Sequence, residues 1–302
     1  MRNALQIGTM SMLLSPPASM GGLRQRDAFI TSCVMQKATN DAILTNCLAS
    51  ICSLLLTTRP KTLVVALDTV ARDRVGTQLE QYHGVTVVTL PGSIDVARIH
   101  RNLSALPAPT RRRDLPIETY AAHRFELWKL TSWRKLLYFD ATDVLFLRNA
   151  SAVLADSKPF SAIVRRGQCT PHAGTMPSKV EQGLYDYINA GVMAFKPSIA
   201  AAEWLYTHYF SGDFIYCGGS DRSFGNQDVI RHAALETDVL GSFHEMSPCH
   251  NYRGWSSQRH CIKENLALLH GRSLWPTHIS LPHRKVPTTE LSKRLLNGQC
   301  SA

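Results

Sequence analysis

The stretch "KLLYFDATDVLFLRN", from Lys135 to Asn149, places two carboxylates inside a run of apolar residues. The part before Asp140 has the composition of a buried β-strand, and the apolar run resumes after Asp143. An ionised carboxylate is costly to bury alone, and two of them close together repel one another. The pair therefore needs a compensating cation, which is either a divalent metal or an arginine. In the second case Asp143 would cap the following segment and Asp140 would pair with the arginine.

The sequence on either side of this stretch predicts a mixed α/β sheet flanked by helices. Short apolar runs alternate with longer segments of helical periodicity, which is typical of parallel strands joined by covering helices. In open sheets of this kind, ligands bind beyond the carboxyl ends of the strands, where the polar interruptions fall. The expected strands are 27–34, 61–68, 84–90, 135–140, 188–197 and 265–271. The expected helices are 40–57, 70–83, 117–133, 201–211 and one that follows the Gly-rich loop beginning at Cys217.

We expect a single domain over residues 26–285. A chain of 302 residues, 44% of them hydrophobic, can fill one large core, and no internal repeat or low-complexity linker divides it. Residues 1–25 contain no acid and form a leader that is either disordered or a targeting segment. Residues 286–302 are expected to be a C-terminal tail. No apolar run reaches the roughly 20 residues that a membrane span needs.

The charge of the chain favours an anionic partner without identifying it. Lys and Arg outnumber Asp and Glu by 33 to 23. Such a balance attracts nucleic acid, anionic lipid or a phosphorylated small molecule. The densest basic run, 111–113, lies in a Pro-containing segment that we interpret as a solvated loop.

The eight cysteines contain no CxxC pair, which argues against a zinc ribbon or a thioredoxin-type redox site. We expect Cys33, Cys47 and Cys52, which lie in apolar segments, to act as small core residues. Four others lie in loop-like stretches and would form disulfides in an oxidising compartment: Cys169, Cys217, Cys249 and Cys261. The sequence does not decide between a reducing and an oxidising compartment. The expected compartment is the cytoplasm, with an organelle or the secretory pathway as alternatives.

The opening stretch resembles the metal-binding strand end of glycosyltransferase family 8, the group that contains glycogenin, galactinol synthase and bacterial lipopolysaccharide galactosyltransferases. In that family an apolar strand leads into Asp-Ala-Asp and then into an apolar tail that closes in a basic residue and Asn. Here Asp140 and Ala141 match the first half, and "DVLFLRN" from Asp143 matches the second, so that Thr142 is a one-residue insertion. The alternative alignment puts Thr142 at the second acidic position and displaces Asp143 outward.

Further segments carry the resemblance in the order that the family has, over residues 27–280. "AFIT" at 28–31 and "TNDAILTNCLASICSL" from Thr39 resemble the first strand and helix of the nucleotide site, with Ile43 where the glycogenins have an aromatic residue. "RFELW" from Arg124 resembles the helix whose Lys contacts the donor phosphate. Arginine keeps the positive charge of that Lys and adds a planar fork of donors.

The second half contributes three more matches. "NAGVMAFKPS" from Asn189 resembles the strand that approaches the donor sugar, and "GNQDVI" resembles the helix start beside the anomeric carbon. Asn226 replaces the first Asp of that helix start, and Asp221 is a candidate to substitute for it. "LLHGRSLWP" resembles the segment that supplies the third metal ligand, His270, although its spacing is compressed and Arg272 is the available cation where the family has a Lys.

The resemblance implies a complete set of site residues. The metal, Mn²⁺ or Mg²⁺, would be held by Asp140, Asp143 and His270. The reacting sugar would lie beside Gln227, Asp228 and Asn189. Donor binding would involve Thr31, Asn40, Ile43, Arg124, Asp140, Ala141, Asn189, Ala190, Gly191, Asn226, Gln227, Gly271 and Arg272.

The family resemblance implies a GT-A glycosyltransferase fold and transfer of a sugar, with retention of anomeric configuration, from a nucleotide-sugar donor, expected to be a UDP-hexose. The acceptor would be a glycan, lipid or protein; no nucleic-acid partner is expected, and a homodimer stays open. Two alternatives remain. One is a homologue that binds a nucleotide sugar with weak or no turnover. The other is a metal-dependent phosphoryl-transfer enzyme or nuclease, which would normally need more carboxylates than we can identify.

Overall fold

The computed structural model describes residues 26–35, 41–90, 119–169, 185–211, 226–254, 258, 260–261, 266–271, 274–281 and 284–300. Its strands are β1 (Asp27–Cys33), β2 (Leu63–Leu67), β3 (Val85–Thr89), β4 (Lys135–Phe139), β5 (Val144–Phe146), β6 (Phe160–Cys169), β7 (Tyr185–Phe195), β8 (His244–Glu245), β9 (Leu268–His270), β10 (His278–Leu281) and β11 (Arg284–Pro287). Its α-helices are α1 (Asp41–Thr57), α2 (Thr69–Glu80), α3 (Thr119–Glu126), α4 (Ser151–Asp156), α5 (Ile199–Ser211), α6 (Asn226–Leu235) and α7 (Leu291–Leu296).

Within these ranges, seven strands form one sheet in the order β3, β2, β1, β4, β7, β6 and β8. The strands β1 to β4 run parallel, whereas β7 is antiparallel to both of its neighbours, β4 and β6. The predicted mixed α/β sheet flanked by helices is thereby confirmed. Because β7 runs the opposite way, its first residues lie at the same edge as the carboxyl end of β4.

The central strand β4 is buried on both faces. Leu136 and Tyr138 pack with residues of α3, α5 and α6, whereas Leu137 and Phe139 pack with residues of α1. Successive side chains of a strand point to opposite faces, and here both faces are covered. This double burial explains why β4 is apolar from Leu136 to Phe139 and why the first acid appears only where the strand ends.

The helix predicted over 117–133 is shorter than expected. The helix α3 ends at Glu126, and a 3₁₀ turn, Leu127–Lys129, follows it. Within that turn Trp128 is buried and stacks on Phe195 of β7, with 4.1 Å between ring centroids. The apolar spacing continues past α3 because this turn packs onto the sheet, so periodicity alone overestimated the length of the helix.

Cys33, Cys47 and Cys52 are buried, as predicted, but the prediction that they act only as small core residues is wrong. Cys33 is joined to Cys47, and Cys52 is joined to Cys300 near the C-terminus. The Cα atoms lie 6.1 Å and 5.3 Å apart in these two pairs, within the range of disulfides. The second pair could not be predicted from the sequence, because its two cysteines are far apart in the chain and only the packing of the C-terminal segment brings them together.

A third disulfide joins Cys249 to Cys261, two of the cysteines expected to pair under oxidising conditions. Of the other two candidates, Cys217 and the side chain of Cys169 lie outside the described residues.

Residues 284–300 pack against the body of the protein. The strand β11 crosses the domain boundary expected at residue 285 and pairs with β10, and α7 packs against α1 and α2. The hydroxyl of Tyr82 donates a hydrogen bond to the carbonyl oxygen of Leu295 at 2.6 Å. The expected tail therefore contains regular structure that is fastened to the core.

Residues 1–25 and the basic run 111–113 lie outside the described residues. In the ranges that the structure covers, every helix is too short or too polar to traverse a lipid bilayer.

Candidate functional site

The site begins where β4 ends. Asp140 follows Phe139, and its backbone N–H donates to the carbonyl oxygen of Gly191 in the neighbouring strand β7 at 2.7 Å. The strand β5, which starts just after Asp143, pairs with β9, so that Val144 lies opposite His270. Three segments that are distant in sequence thus meet at the carboxyl edge of the parallel strands, where ligands bind in open α/β sheets.

The four residues 140–143 form a turn held by Asp140. The backbone N–H groups of Asp143 and Val144 donate to the carbonyl oxygen of Asp140 at 3.0 and 2.8 Å. Both the backbone N–H and the hydroxyl of Thr142 donate to Oδ1 of Asp140, at 3.2 and 2.7 Å. Thr142 therefore caps the Asp140 carboxylate, while Asp143 reaches His270. This arrangement supports the alignment in which Thr142 is the inserted residue.

Asp140 is neutralised by an arginine, as the second interpretation of the acid pair anticipated. The Nη2 atom of Arg124 lies 3.4 Å from Oδ2 of Asp140, and its guanidinium also lies 4.6 Å above the ring centroid of Tyr138. Burial alone would raise the pKa of Asp140, but the charge of Arg124 and the hydrogen bonds from Thr142 outweigh it and lower that pKa. Asp140 is therefore ionised at neutral pH.

Arg124 is itself held at this edge by two further acceptors. Its Nη1 atom donates to Oδ1 of Asn226, the first residue of α6, at 3.3 Å. The same atom donates to the carbonyl oxygen of Ala190 at 3.4 Å. Arg124 therefore joins α3, β4, β7 and α6, and its side chain is only 12% exposed.

A chain of amide hydrogen bonds determines the tautomer of His270. The backbone N–H of Gly191, which can only donate, gives a hydrogen bond to Oδ1 of Asn189 at 3.1 Å, and Nδ2 of Asn251 donates to the same oxygen at 3.0 Å. Oδ1 of Asn251 must then accept from Nδ1 of His270, which lies 2.7 Å away. Assigned from this network, the proton is on Nδ1, and Nε2 of His270 keeps its lone pair.

The imidazole of His270 is neutral at pH 7. Its side chain is 3% exposed, and burial together with the charge of Arg253 lowers its pKa to about 3. The Nε2 atom of His270, which carries the lone pair, lies 3.5 Å from Oδ2 of Asp143. Two electron-rich atoms at this separation require a cation or a donor beside them.

That cation is the guanidinium of Arg253. Its Nη1 atom donates to Nε2 of His270 at 3.3 Å, and its Nη2 atom lies 3.7 Å from Oδ2 of Asp143. Neither Arg253 nor Asn251 belongs to any motif in the sequence. The sequence feature that could have pointed to them is their position, because both residues lie between Cys249 and Cys261 in the segment that precedes β9.

Three other predicted site residues are Gln227, Asp228 and Thr31. Gln227 lies at the same edge: its Oε1 accepts from the N–H of Ala190 at 2.8 Å, and its Nε2 donates to the hydroxyl of Tyr187 at 2.6 Å. Asp228, in the first turn of α6, is buried. Thr31 donates its hydroxyl to the carbonyl oxygen of Phe139.

Of the remaining donor-site predictions, Ala141 and Gly271 lie at this edge and Ile43 lies in α1. Ile43 is partly buried in the first turn of α1, and Ala141 is fully buried in the turn after β4. Gly271 has a φ of 123° and donates its N–H to the carbonyl oxygen of Asp143 at 2.8 Å. Asn40, Asp221 and Arg272 lie outside the described residues.

Two of the three predicted metal ligands suit a divalent cation. Oδ2 of Asp143 and Nε2 of His270 are close together, and the bond from Nδ1 of His270 to Asn251 is the kind of second hydrogen bond that metal-bound histidines make. An oxygen and an imidazole nitrogen are acceptable donors for Mn²⁺. Asp140 is on the same turn, but its carboxylate interacts with Arg124 and Thr142. These residues fit a metal held by Asp143 and His270, with Asp140 on its flank.

Among the described residues, a compact set of three ligand atoms within 4.8 Å of one another occurs elsewhere, at Cys249, His260 and Cys261. The two sulfur atoms of this set are bonded to each other, so they do not offer thiolates.

Comparison with known proteins gives no match to a family model and none to a curated protein. The folded chain is similar to the glycosyltransferase GlyE of Streptococcus pneumoniae TIGR4, with a TM-score of 0.49 and 10% identity over 91% of this chain and 63% of that one. It is also similar to mouse xyloside xylosyltransferase 1, with a TM-score of 0.46 and 14% identity over 83% and 99% of the two chains. A third similar structure is core-mannan synthase A of Aspergillus fumigatus in an Mn/GDP form, with a TM-score of 0.40 and 10% identity over 75% and 74%. At these identities the likenesses concern the path of the chain and do not identify its activity or substrates.

Proposed function

We propose that this protein is a GT-A-type glycosyltransferase that transfers a sugar from a nucleotide-sugar donor, a UDP-hexose, with retention of anomeric configuration. The observation that carries the proposal is the convergence of Asp140, Asp143, His270 and Arg124 on one turn at the carboxyl edge of the parallel strands. These residues come from three segments that are separate in sequence: α3, the turn after β4, and β9. A structural role for any one acid would not require a neutral, deeply buried imidazole beside the other.

In this proposal Asp143 and His270 hold Mn²⁺ or Mg²⁺, with Asp140 beside them. The bound cation would supply Lewis-acid stabilisation of the diphosphate leaving group. Arg124, which already bridges Asp140 and the start of α6, adds positive charge on the side where the sugar phosphate would lie. The Asn189 amide keeps the lone pair of His270 directed at the metal position through Asn251.

Gln227 is the residue that we expect closest to the reacting sugar. Its amide is oriented by the N–H of Ala190 and by Tyr187, so that the helix start of α6 is fixed against β7. A fixed Gln227 side chain favours a single position of the sugar, and correct positioning of the reacting groups lowers the barrier to transfer. Asp228 stays a candidate for the same role.

The test is donor hydrolysis by the purified protein across UDP- and GDP-sugars, with and without Mn²⁺. We expect hydrolysis of a UDP-hexose that depends on Mn²⁺, that falls by about a hundredfold or more in Asp143→Asn, and that falls less than about tenfold in Thr142→Val. Activity that survives Asp143→Asn but requires Thr142 would show that Thr142, and not Asp143, takes the second acidic position of the motif.

The two other functional interpretations make different predictions in the same experiment. Mn²⁺-dependent binding of UDP without turnover of any sugar donor would support a binding homologue. Cleavage of DNA, RNA or a phosphomonoester without cleavage of nucleotide sugars would support phosphoryl transfer.

We also propose that the protein matures in an oxidising compartment rather than in the cytoplasm. Three disulfides connect described residues, and one of them ties the C-terminal segment to α1. Disulfides of this kind are typical of secreted and organelle proteins and rare in the cytosol. Non-reducing peptide mapping of protein from its native source would test this proposal, since free thiols at all six positions would contradict it.

A further inference from the structure

The guanidinium of Arg253 contacts two of the three predicted metal ligands, Asp143 and His270. It donates to Nε2 of His270 at 3.3 Å and lies 3.7 Å from Oδ2 of Asp143. These are the same two atoms that the proposed function assigns to a divalent cation. A cation and Arg253 cannot both use them, because like charges repel strongly at such distances.

The backbone of Arg253 is held firmly while its side chain remains 31% exposed. Its N–H donates to Oε1 of Gln258 at 2.8 Å, and Nε2 of Gln258 donates in turn to the carbonyl oxygen of Asn251 at 2.7 Å. The preceding residue, Tyr252, accepts at its carbonyl oxygen from the N–H of His270 at 2.8 Å. Rotation of the Arg253 side chain alone would therefore end its contacts with Asp143 and His270 without breaking these backbone hydrogen bonds.

Charge balance indicates when that rotation is favourable. Among the described side chains of the site, Asp140 and Asp143 pair with Arg124 and Arg253, and the hydrogen bond to Asn251 places the single proton of His270 on Nδ1. A divalent cation added alone would leave this cluster with excess positive charge. A nucleoside diphosphate added with the cation supplies about two to three negative charges and a bidentate acceptor for a guanidinium.

We propose that Arg253 couples metal binding to diphosphate binding: its guanidinium holds Asp143 and His270 until a nucleoside diphosphate enters, and then turns to the phosphates as the divalent cation takes its place. This inference rests on the proposed function, because it uses the same metal ligands. It adds a residue that the family resemblance does not assign. It also predicts that the metal and the nucleotide bind cooperatively.

The test measures Mn²⁺ binding by the loss of the free-ion electron paramagnetic resonance signal, and UDP binding by calorimetry, each with and without the other ligand. In the unmodified protein we expect UDP to tighten Mn²⁺ binding by about tenfold or more, within the usual range of coupling between sites. In Arg253→Gln we expect Mn²⁺ alone to bind about tenfold more tightly, and the coupling to UDP to fall by a similar factor.

Two further variants serve as controls. Arg134→Gln removes one positive charge at the opposite end of β4, where Arg134 pairs with Asp27, and should leave Mn²⁺ affinity within about twofold. Arg253→Lys keeps the charge and should retain most of the competition, which provides a second measurement if Arg253→Gln folds poorly.

The possible results separate the two proposals. Unchanged or weaker Mn²⁺ binding in Arg253→Gln, with Mn²⁺ and UDP both bound by the unmodified protein, would overturn the coupling role and leave the proposed function intact. Absence of Mn²⁺ and UDP binding in all four proteins would overturn the proposed function, and the coupling role with it.

Discussion

Gly191 lies directly against the imidazole of His270. A Cβ atom built on Gly191 would collide with Cε1 of that ring, and the carbonyl oxygen of Gly191 accepts the N–H of Asp140 at 2.7 Å. The glycine is therefore required by the close approach of β7 to the histidine. This contact connects the segment "NAGV" to the metal-ligand prediction through packing.

The first prediction concerns this contact. Gly191→Ala should lower the free energy of unfolding by about 2 kcal/mol, because the ring has no room to move, and should weaken Mn²⁺ binding. Denaturant unfolding and Mn²⁺ titration measure the two effects. As a control, Gly76→Ala in α2 meets only the flexible side chain of Arg72 and should be neutral or slightly stabilising. Equal behaviour of the two variants would contradict the interpretation of Gly191.

A second prediction concerns Asn251. Asn251→Leu removes the acceptor for Nδ1 of His270 and should weaken Mn²⁺ binding by about 10- to 100-fold, as loss of such outer hydrogen bonds does. Asn251→Asp keeps an acceptor for Nδ1 and should weaken it by only a few-fold. If Asn251→Leu binds Mn²⁺ normally, the hydrogen-bond chain through Asn189 does not orient the ligand.

The third prediction is the protonation state of His270. Because its pKa is lowered to about 3, the ring should remain neutral, with the proton on Nδ1, from pH 7.5 down to pH 5. An ordinary histidine would be mostly charged at pH 5. Nitrogen-15 chemical shifts of labelled histidine, measured without metal, report both the charge and the tautomer. Titration of His270 near pH 6.5 would show that the ring is not buried as described.

The same shift has a consequence for stability. Unfolded His270 binds a proton near pH 6.5, whereas the folded ring does so only near pH 3, so the stability contributed by the neutral ring is complete above pH 6.5 and declines as the pH falls below it. A single such group lowers the free energy of unfolding by up to about 1.4 kcal/mol per pH unit in this window. Denaturant unfolding between pH 7.5 and 4.5 should show a shallower decline in His270→Gln than in the unmodified protein.

A fourth prediction concerns the disulfide between Cys52 and Cys300, which closes a very long loop. The double variant Cys52→Ala, Cys300→Ala should lose about 3 kcal/mol of unfolding free energy and release the contact between α7 and α1. Urea unfolding measures the loss. Dithiothreitol should lower the free energy of unfolding of this variant less than that of the unmodified protein. Alkylation of Cys300 in the denatured but unreduced protein would contradict the pairing.

Local patterns predicted the strands and helices that alternate along the first half. Residues 27–90 alternate as expected, because each strand there is short and apolar and because β1 and β2 are each followed by a helix of clear periodicity. The strand β6 was not anticipated. Only its first residues are apolar, and its pairing with β7 and with the more distant β8 leaves little trace in a local pattern. For α3, the burial of Trp128 against Phe195 continued an apolar spacing after the helix had ended.

The sequence by itself determined that two acids would follow a buried strand, because burial demands an apolar strand and the strand must end where charge begins. The expectation that these acids, Asn189 and His270 belong to one edge of a sheet came from the family resemblance. Only the tertiary structure decided which cation meets which acid. Arg124 with Asp140, and Arg253 with Asp143 and His270, are contacts between residues far apart in the chain, and they depend on how β7, β9 and the loop before β9 pack. Thr142, which left the alignment of the acids open in the sequence, acquires a role from that packing: it caps Asp140 and leaves Asp143 beside His270.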